Sequence, residues 1–415
     1  MSLLSLSAAL LFAAGPLPPW MDGRSDPADL QIRVVTFGPG DTLTEWWGHT
    51  SLVVTDQRLR DERLYNFGMF GPRAGGSEWD FVADFIKGRL IFWVADEGVQ
   101  RTFRLYRDFL KRDVRIQLLD LAPEEAQRVA TALGTHVLPE NRYYRYHHYF
   151  DNCSTRPRDI VDAAIGGQLK AATLDASRYT LREQTLRYAR VNPPFSVVLD
   201  FLQGPMLDKP MTRQGDASLP DELEKQLAAL QVKRADGSVR PLVKESTVWF
   251  ASGRAAPPDW PPNFVPYELL LGLALGALAV GLARWSENGR RASRIVFGLY
   301  ALLIALVLGI FGGALGFLMA ATDHDVTWNN ENILQSNPLS LGLIVLAVMT
   351  LWGARRAAKW NRAGWALLTA LSVLGLLIKV LPFSIQANWN ILALTVPVHL
   401  GFALAWWKVK RPAAG

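Results

Sequence analysis

From Val265 onward the chain's apolar residues fall in long runs: Tyr267–Ala283, Ile295–Ala320, Leu339–Leu351, Trp365–Leu381 and Ile391–Trp407. A helix needs about 20 apolar residues to cross a bilayer, and about 17 are tolerated. Four runs meet that length once their flanks are counted. The third is short, and its flank "NPLSLG" is expected to extend it. The pattern predicts five transmembrane helices over 263–411, preceded by a domain over 30–262.

The earlier residues carry a different pattern. "QIRVVTF" (31–37), "HTSLVVTD" (49–56) and "RLYNFGMF" (63–70) read as strands, the last two as a hairpin around a polar turn. "SEWDFVADFIKG" reads as a short helix ending at Gly88. "LIFWVA" and "DVRIQLLDL" add two more strands. "APEEAQRVATALGTHV" opens with proline and acidic residues, which marks a helix start. After Asp151 the apolar positions Ile160, Val161, Ala164 and Ile165 form a helical stripe that Gly166-Gly167 stops. An antiparallel set followed by helices is an α+β domain, here joined to an all-α membrane bundle.

Charge orients the bundle. Arg284, Arg290, Arg291 and Arg294 separate the first two runs. Arg355, Arg356, Lys359 and Arg362 separate the third and fourth, and Lys408, Lys410 and Arg411 follow the fifth. The loops Thr322–Asn337 and Phe383–Asn390 contain no Lys or Arg. Positive loops stay in the cytoplasm, so residues 20–262 are expected outside. Leu3–Ala14 reads as a signal peptide or short anchor within 1–19. The net charge of +6 comes with no basic stripe, so no nucleic-acid partner is expected.

That orientation gives the single cysteine, Cys153, an oxidising compartment, where a lone thiol is a liability. Its segment reads "YFDNCSTRPRD". Asp151 and Asn152 are good helix caps, and Pro157 is tolerated in a first turn. Cys153 therefore falls near a helix N-terminus, where the backbone N–H groups favour an anion and lower a thiol's pKa. Arg156 and Arg158 are expected to add positive charge. A nucleophilic thiol needs a base. Among six histidines, His399 lies in a membrane run, His136 late in a helix, and His147 and His148 in an aromatic stretch. His324 lies in an outer loop. His49 opens a strand directly after "EWWG".

"WWGHTSLVV", "YNFGMF" and "LPENRYYRYHHYFDNCSTRPRD", with "YTLRE" and "DFLQGPMLDKP" further on, resemble the DUF4105 family, the outward-facing domain of Lnb-type bacterial lipoprotein N-acyltransferases. The likeness covers roughly 30–230. The membrane part resembles the family through "TDHDVTWNNENILQSNPL". The resemblance implies a circularly permuted papain-like fold and Cys–His acyl transfer, with Cys153 as nucleophile, His49 as general base and Asn66 orienting the imidazole. Asn152, Ser154, Tyr149, Arg158 and His324 complete the candidate oxyanion and substrate-binding set. The implied partners are a phospholipid acyl donor and a diacylated lipoprotein acceptor at the bacterial inner membrane; no metal or cofactor is implied. Two other readings use the same residues: a thiol amidase or endopeptidase acting on cell-wall peptide, and a non-catalytic lipoprotein-binding module.

Overall fold

The computed structural model describes residues 17–72, 77–352 and 356–408. The run Leu3–Ala14 and the basic residues Arg355, Lys410 and Arg411 lie outside them. The chain folds as two compact units: Met1–Val191 with Pro210–Asp259, and Asn192–Lys209 with Trp260–Gly415. The segment Asn192–Lys209 thus clusters with the helices and not with the sheet unit around it in sequence.

The first unit is α+β. Its strands are β1 (Leu30–Phe37), β2 (His49–Asp56), β3 (Asp61–Met69), β4 (Ile91–Glu97), β5 (Val114–Leu119) and β6 (Tyr143–Arg145). Two short strands, β7 (Gln231–Lys233) and β8 (Val239–Pro241), form a separate ribbon, and β9 (Val243–Phe250) follows. Seven strands make one sheet in the order β6-β4-β3-β2-β1-β5-β9, each neighbour antiparallel. The helices of this unit are α1 (Glu78–Ile86), α2 (Val99–Arg104), α3 (Pro123–His136), α4 (Thr155–Ala164), α5 (Gln168–Ala171) and α6 (Leu181–Ala189).

The sheet is covered on both faces, which explains the nearly unbroken apolar runs of β1 and β2. Ile32, Val34, Leu52, Val54 and Phe67 face a core completed by Val129 and Leu133 of α3 and Val161 of α4. Val35, Phe37, Val53 and Leu64 point the other way, onto Val99 and Phe103 of α2. Successive strand residues alternate faces, so one strand feeds two cores. Each fully buried side chain of this kind contributes roughly 1.5–3 kcal/mol.

Helix starts follow from local chemistry. Pro123 opens α3, and Glu125 Oε2 accepts the Ala122 N–H at 2.8 Å. Asn152 Oδ1 accepts the N–H groups of Ser154 and Thr155, at 2.8 and 2.9 Å, so it caps α4 from three residues before the helix begins. Pro157 is the third residue of α4, where no intrahelical donor is lost. Gly166 and Gly167 follow with φ of +75° and +80°.

Within the second unit, α7 (Pro193–Leu202) precedes the membrane helices; α8 (Arg213–Asp216) and α9 (Pro220–Ala229) return to the first unit. The long helices are α10 (Val265–Ser286), α11 (Arg291–Ala321), α13 (Ala357–Leu377) and α14 (Trp389–Lys408), with α12 (Ser340–Leu351) between α11 and α13. Among the described residues, four helices are long and apolar enough to cross a membrane.

The expected extension of the third run fails. Asn337 and Pro338 stay outside α12, whose 12 residues reach about 18 Å at 1.5 Å per residue, well short of a hydrocarbon core of about 30 Å. The loop before it makes up depth. Ser336 Oγ donates to Leu308 O, and a Cβ on Gly312 would fall 2.4 Å from Asn337 N. Gly312 lies nine residues before the end of α11, about 14 Å along its axis. Irregular backbone at such depth survives only when protein covers it and satisfies its polar groups. Gln335 bonds Ser372 of α13 and Thr395 of α14. Asn330 and Asn332 donate to Phe201 O on α7.

Gly312→Val should therefore destabilise the bundle by at least the ~1–3 kcal/mol typical of overpacking, because the clash is with backbone. A melting curve in detergent will show this against Gly281→Ala, whose site has open space and should melt at or above the wild-type temperature.

Candidate active site

The antiparallel pairing of β2 and β3 brings the first candidates together. Ser51 lies opposite Asn66, and His49 stands two residues before Ser51 on the same face. His49 Nε2 and Asn66 Oδ1 are hydrogen-bonded. Asn66 Nδ2 points to Glu97 Oε2 at 3.5 Å, which also accepts from Thr102 Oγ1 at 3.1 Å. A carboxylate only accepts, so the amide's NH2 must face Glu97 and its oxygen must face His49. The imidazole then donates from Nε2, and Nδ1 keeps its lone pair.

Cys153 reaches the same place from the other side of the chain. Strand β6, on the sheet edge, leads into Tyr146, and His147 and Asp151 close a bridge just before the cysteine. The half-buried, unbridged thiol receives the backbone N–H of Thr50, the residue after His49, and interacts with the Tyr146 hydroxyl. Gly68, in the left-handed region at φ +88°, lies beneath it: a Cβ there would sit 3.5 Å from Cys153 Cβ and 3.5 Å from the Tyr146 ring.

Electrostatics correct one expectation. The helix N-terminus does not leave Cys153 acidic, since burial pushes its thiol up from the ordinary value, against the Thr50 N–H and the charge of Arg112. Burial likewise drives His49 down to about 4, opposed by its bond to Asn66. Both groups are therefore neutral at rest near neutral pH.

The remaining candidates each make bonds of their own within the fold. Asn152 gives both amide hydrogens to backbone carbonyls, of His148 at 2.7 Å and Ser218 at 3.0 Å. Ser154 Oγ donates to Ala217 O. Tyr149 pairs its hydroxyl with Thr185. Arg158 binds Asp159 and Gln214 O. Arg156 clamps Asp151 through Nε and Nη2, one edge of its guanidinium, and lies 3.7 Å from the Tyr144 ring centroid. His324 belongs to the helical unit, where its carbonyl accepts from Thr327. Among the described residues no three His, Cys, Asp or Glu side chains converge as a metal site.

The sequence reading missed Glu97, Tyr146, Thr50 and Arg112. Tyr146 stands in the block "YRYHHY", but nothing distinguishes it from its aromatic neighbours. Glu97 ends β4 and Arg112 lies in the loop before β5, and only the folded sheet brings them to the site.

Helices of membrane-crossing length behind an α+β sheet unit define a membrane protein with a separate folded domain. Residues 17–188 match the family model of the Lnb N-terminal periplasmic domain, and residues 262–410 match that of the Lnb transmembrane domain. The two matches support the Lnb family and a periplasmic location for the sheet unit. Comparison with curated proteins and with solved structures gave no match.

Two outcomes follow. With His49 at about 4 and the thiol raised, alkylation of Cys153 by iodoacetamide should climb about tenfold per pH unit between about pH 5 and 8, because only thiolate reacts. An acidic plateau would reveal a preformed thiolate–imidazolium pair. In acyl-transfer assays, His49→Ala should cost roughly 10²–10⁴ in rate by removing proton transfer, and Asn66→Ala less. The reverse order in folded protein would reassign the two roles.

Proposed function

We propose that this protein N-acylates the amino-terminal diacylglyceryl-cysteine of lipoproteins, taking the acyl group from a phospholipid through a thioester on Cys153. The observation that carries the reading is the fixed imidazole: Asn66 holds Nε2, which leaves Nδ1 as a base for the thiol beside Thr50. The Lnb matches favour a lipoprotein-modifying enzyme over a peptidase using the same residues.

The reaction divides into two balanced halves. Sγ attacks the ester carbonyl while Nδ1 of His49 takes the thiol proton. The tetrahedral adduct collapses, the carbonyl C–O bond breaks, and the lysophospholipid leaves with that proton. The lipoprotein's neutral α-amino group then attacks the thioester. An amide forms, the C–S bond breaks, and one amine proton returns through His49 to the thiol. An α-amino group with an ordinary pKa of about 7.7–8.0 is neutral in useful fraction near pH 7. The N–H groups of Thr50 and of Cys153 itself and the Tyr146 hydroxyl all bear on the sulfur, and fixed donors of this kind stabilise an oxyanion that forms beside them. Both substrates carry acyl chains anchored in a bilayer, which gives a membrane-bound thiol transferase a purpose that a soluble-peptide hydrolase lacks.

Given phospholipid and no acceptor, the purified protein should accumulate a hydroxylamine-sensitive acyl mass on Cys153. A diacylated lipopeptide with a free amino terminus should discharge it, and Cys153→Ala should never form it. Normal lipoprotein N-acylation by folded Cys153→Ala protein would end the covalent reading, and an adduct that only water discharges would mark a hydrolase.

A further inference from the structure

Arg112 is a guanidinium buried beside the proposed site with part of its hydrogen-bonding capacity unused. It is 3% exposed. The fold builds its position deliberately. Helix α2 runs into a single π turn, Leu105–Phe109, and Lys111 takes a left-handed φ of +50°, unusual for a residue with a side chain. Arg112 then donates its backbone N–H to Tyr106 O and its Nε to Gly38 O at 2.7 Å. Its guanidinium lies 4.9 Å from the Tyr106 ring centroid. Tyr106 stacks on Phe37, and Phe37 stacks on His49. Glu45 approaches Nη1 only to 3.7 Å, and Glu45 Oε2 is occupied by the Thr42 N–H. Nη2 is buried without an acceptor.

A buried cationic donor with no acceptor is costly, because desolvation is not repaid. It is linked to His49 through the stack of Tyr106 and Phe37, and its charge bears on both His49 and Cys153, so whatever completes it lies within electrostatic reach of the thiol. Neither of those groups supplies a negative charge at rest. The carboxylate at hand, on Glu45, is too distant for a close bond. Arg156 and Arg158, the cations nearest Cys153 in sequence, are already paired. The missing partner is an anion brought by the substrate. Guanidinium matches a tetrahedral oxyanion well, and the acyl donor of the proposed reaction carries one, a phosphodiester a few bonds from its ester carbonyl.

We propose that Arg112 Nη2 binds the phosphate of the acyl donor and so sets the ester carbonyl against Cys153. The inference rests on the reading of Cys153 as an acyl carrier, and its test separates the two.

Full-length protein in detergent would be given either a short-chain phosphatidylethanolamine or an N-acetylcysteamine thioester of the same acyl chain, which has no phosphate. Acyl transfer to Cys153 would be followed by intact mass. Arg112→Gln should slow the phospholipid reaction about tenfold to a hundredfold, the worth of one charge-assisted bond, and leave the thioester reaction within about threefold. Arg112→Lys, which keeps the charge and guards against misfolding, should fall between. Equal slowing with both donors would overturn the proposal and make Arg112 a partner of the thiolate or the oxyanion, and unchanged rates would also overturn it. Binding can be read without turnover. Glycerophosphoethanolamine should protect Cys153 of the wild type, but not of Arg112→Gln, from iodoacetamide. Equal protection by sodium phosphate would assign the site to the bare phosphate rather than the headgroup. If the wild type took acyl groups from neither donor, the thioester reading would fall, and the protection experiment would still decide the phosphate site.

Discussion

One amide can face one way only, and the proposed chemistry depends on it. Glu97 takes the NH2 of Asn66, so the amide oxygen turns to His49 and fixes the imidazole proton on Nε2. Were the amide reversed, Nε2 would need the lone pair, and Nδ1 would carry the proton and have no capacity to accept one. The constraint passes through three elements: β2 supplies the imidazole, β3 the amide and β4 the carboxylate. Tertiary structure, more than any local motif, decides which nitrogen is basic.

That division explains what was legible in the sequence. Strands β1 to β5 and helices α1, α3 and α4 were readable because their apolar periods and caps are local. Strand β9, "VKESTVWF", was not, since it is an edge strand with mostly exposed side chains and offers no alternating stripe. Strand β6 has three residues, too few for a period. At the site, Cys153 and His49 stood out by their contexts, whereas Asn66 came only through the family resemblance. The raised thiol did not stand out, because helix-end position can be read from sequence while desolvation cannot, and here desolvation outweighs the helix end. Arg112 was invisible for a related reason. An arginine in "FLKRDVR" looks like solvated loop charge, and only the π turn and the left-handed Lys111 turn it inward.

The helical unit is held by an unusual share of amide side chains. A loop between membrane runs that has no Lys or Arg and holds several Asn and Asp residues reads either as a solvated connector or as a docking element. Asn330, Asn332, Gln335 and Ser336 are buried and tie that loop to α7, α11, α13 and α14. Lys379 adds an ion pair with Glu331 and a bond to Gln386 O at 2.7 Å. In hydrocarbon an unmet amide has no water to turn to, so each of these bonds is retained more firmly than its counterpart in a surface loop. The segment Asn192–Lys209 joins the helices by the same means: Gly204 N bonds Val326 O at 2.7 Å, and Asn390 donates to Asp200.

The neutral resting thiol has a consequence for survival outside the cytoplasm. Peroxides attack thiolate, and the first product is a sulfenic acid that further oxidation makes irreversible. A cysteine kept acidic in the periplasm would be exposed to that loss through every idle moment. Cys153, raised by burial and set near a histidine that is also uncharged, presents little thiolate at rest. The same desolvation that slows its reaction with small electrophiles also shields the thiol from peroxide in an oxidising compartment.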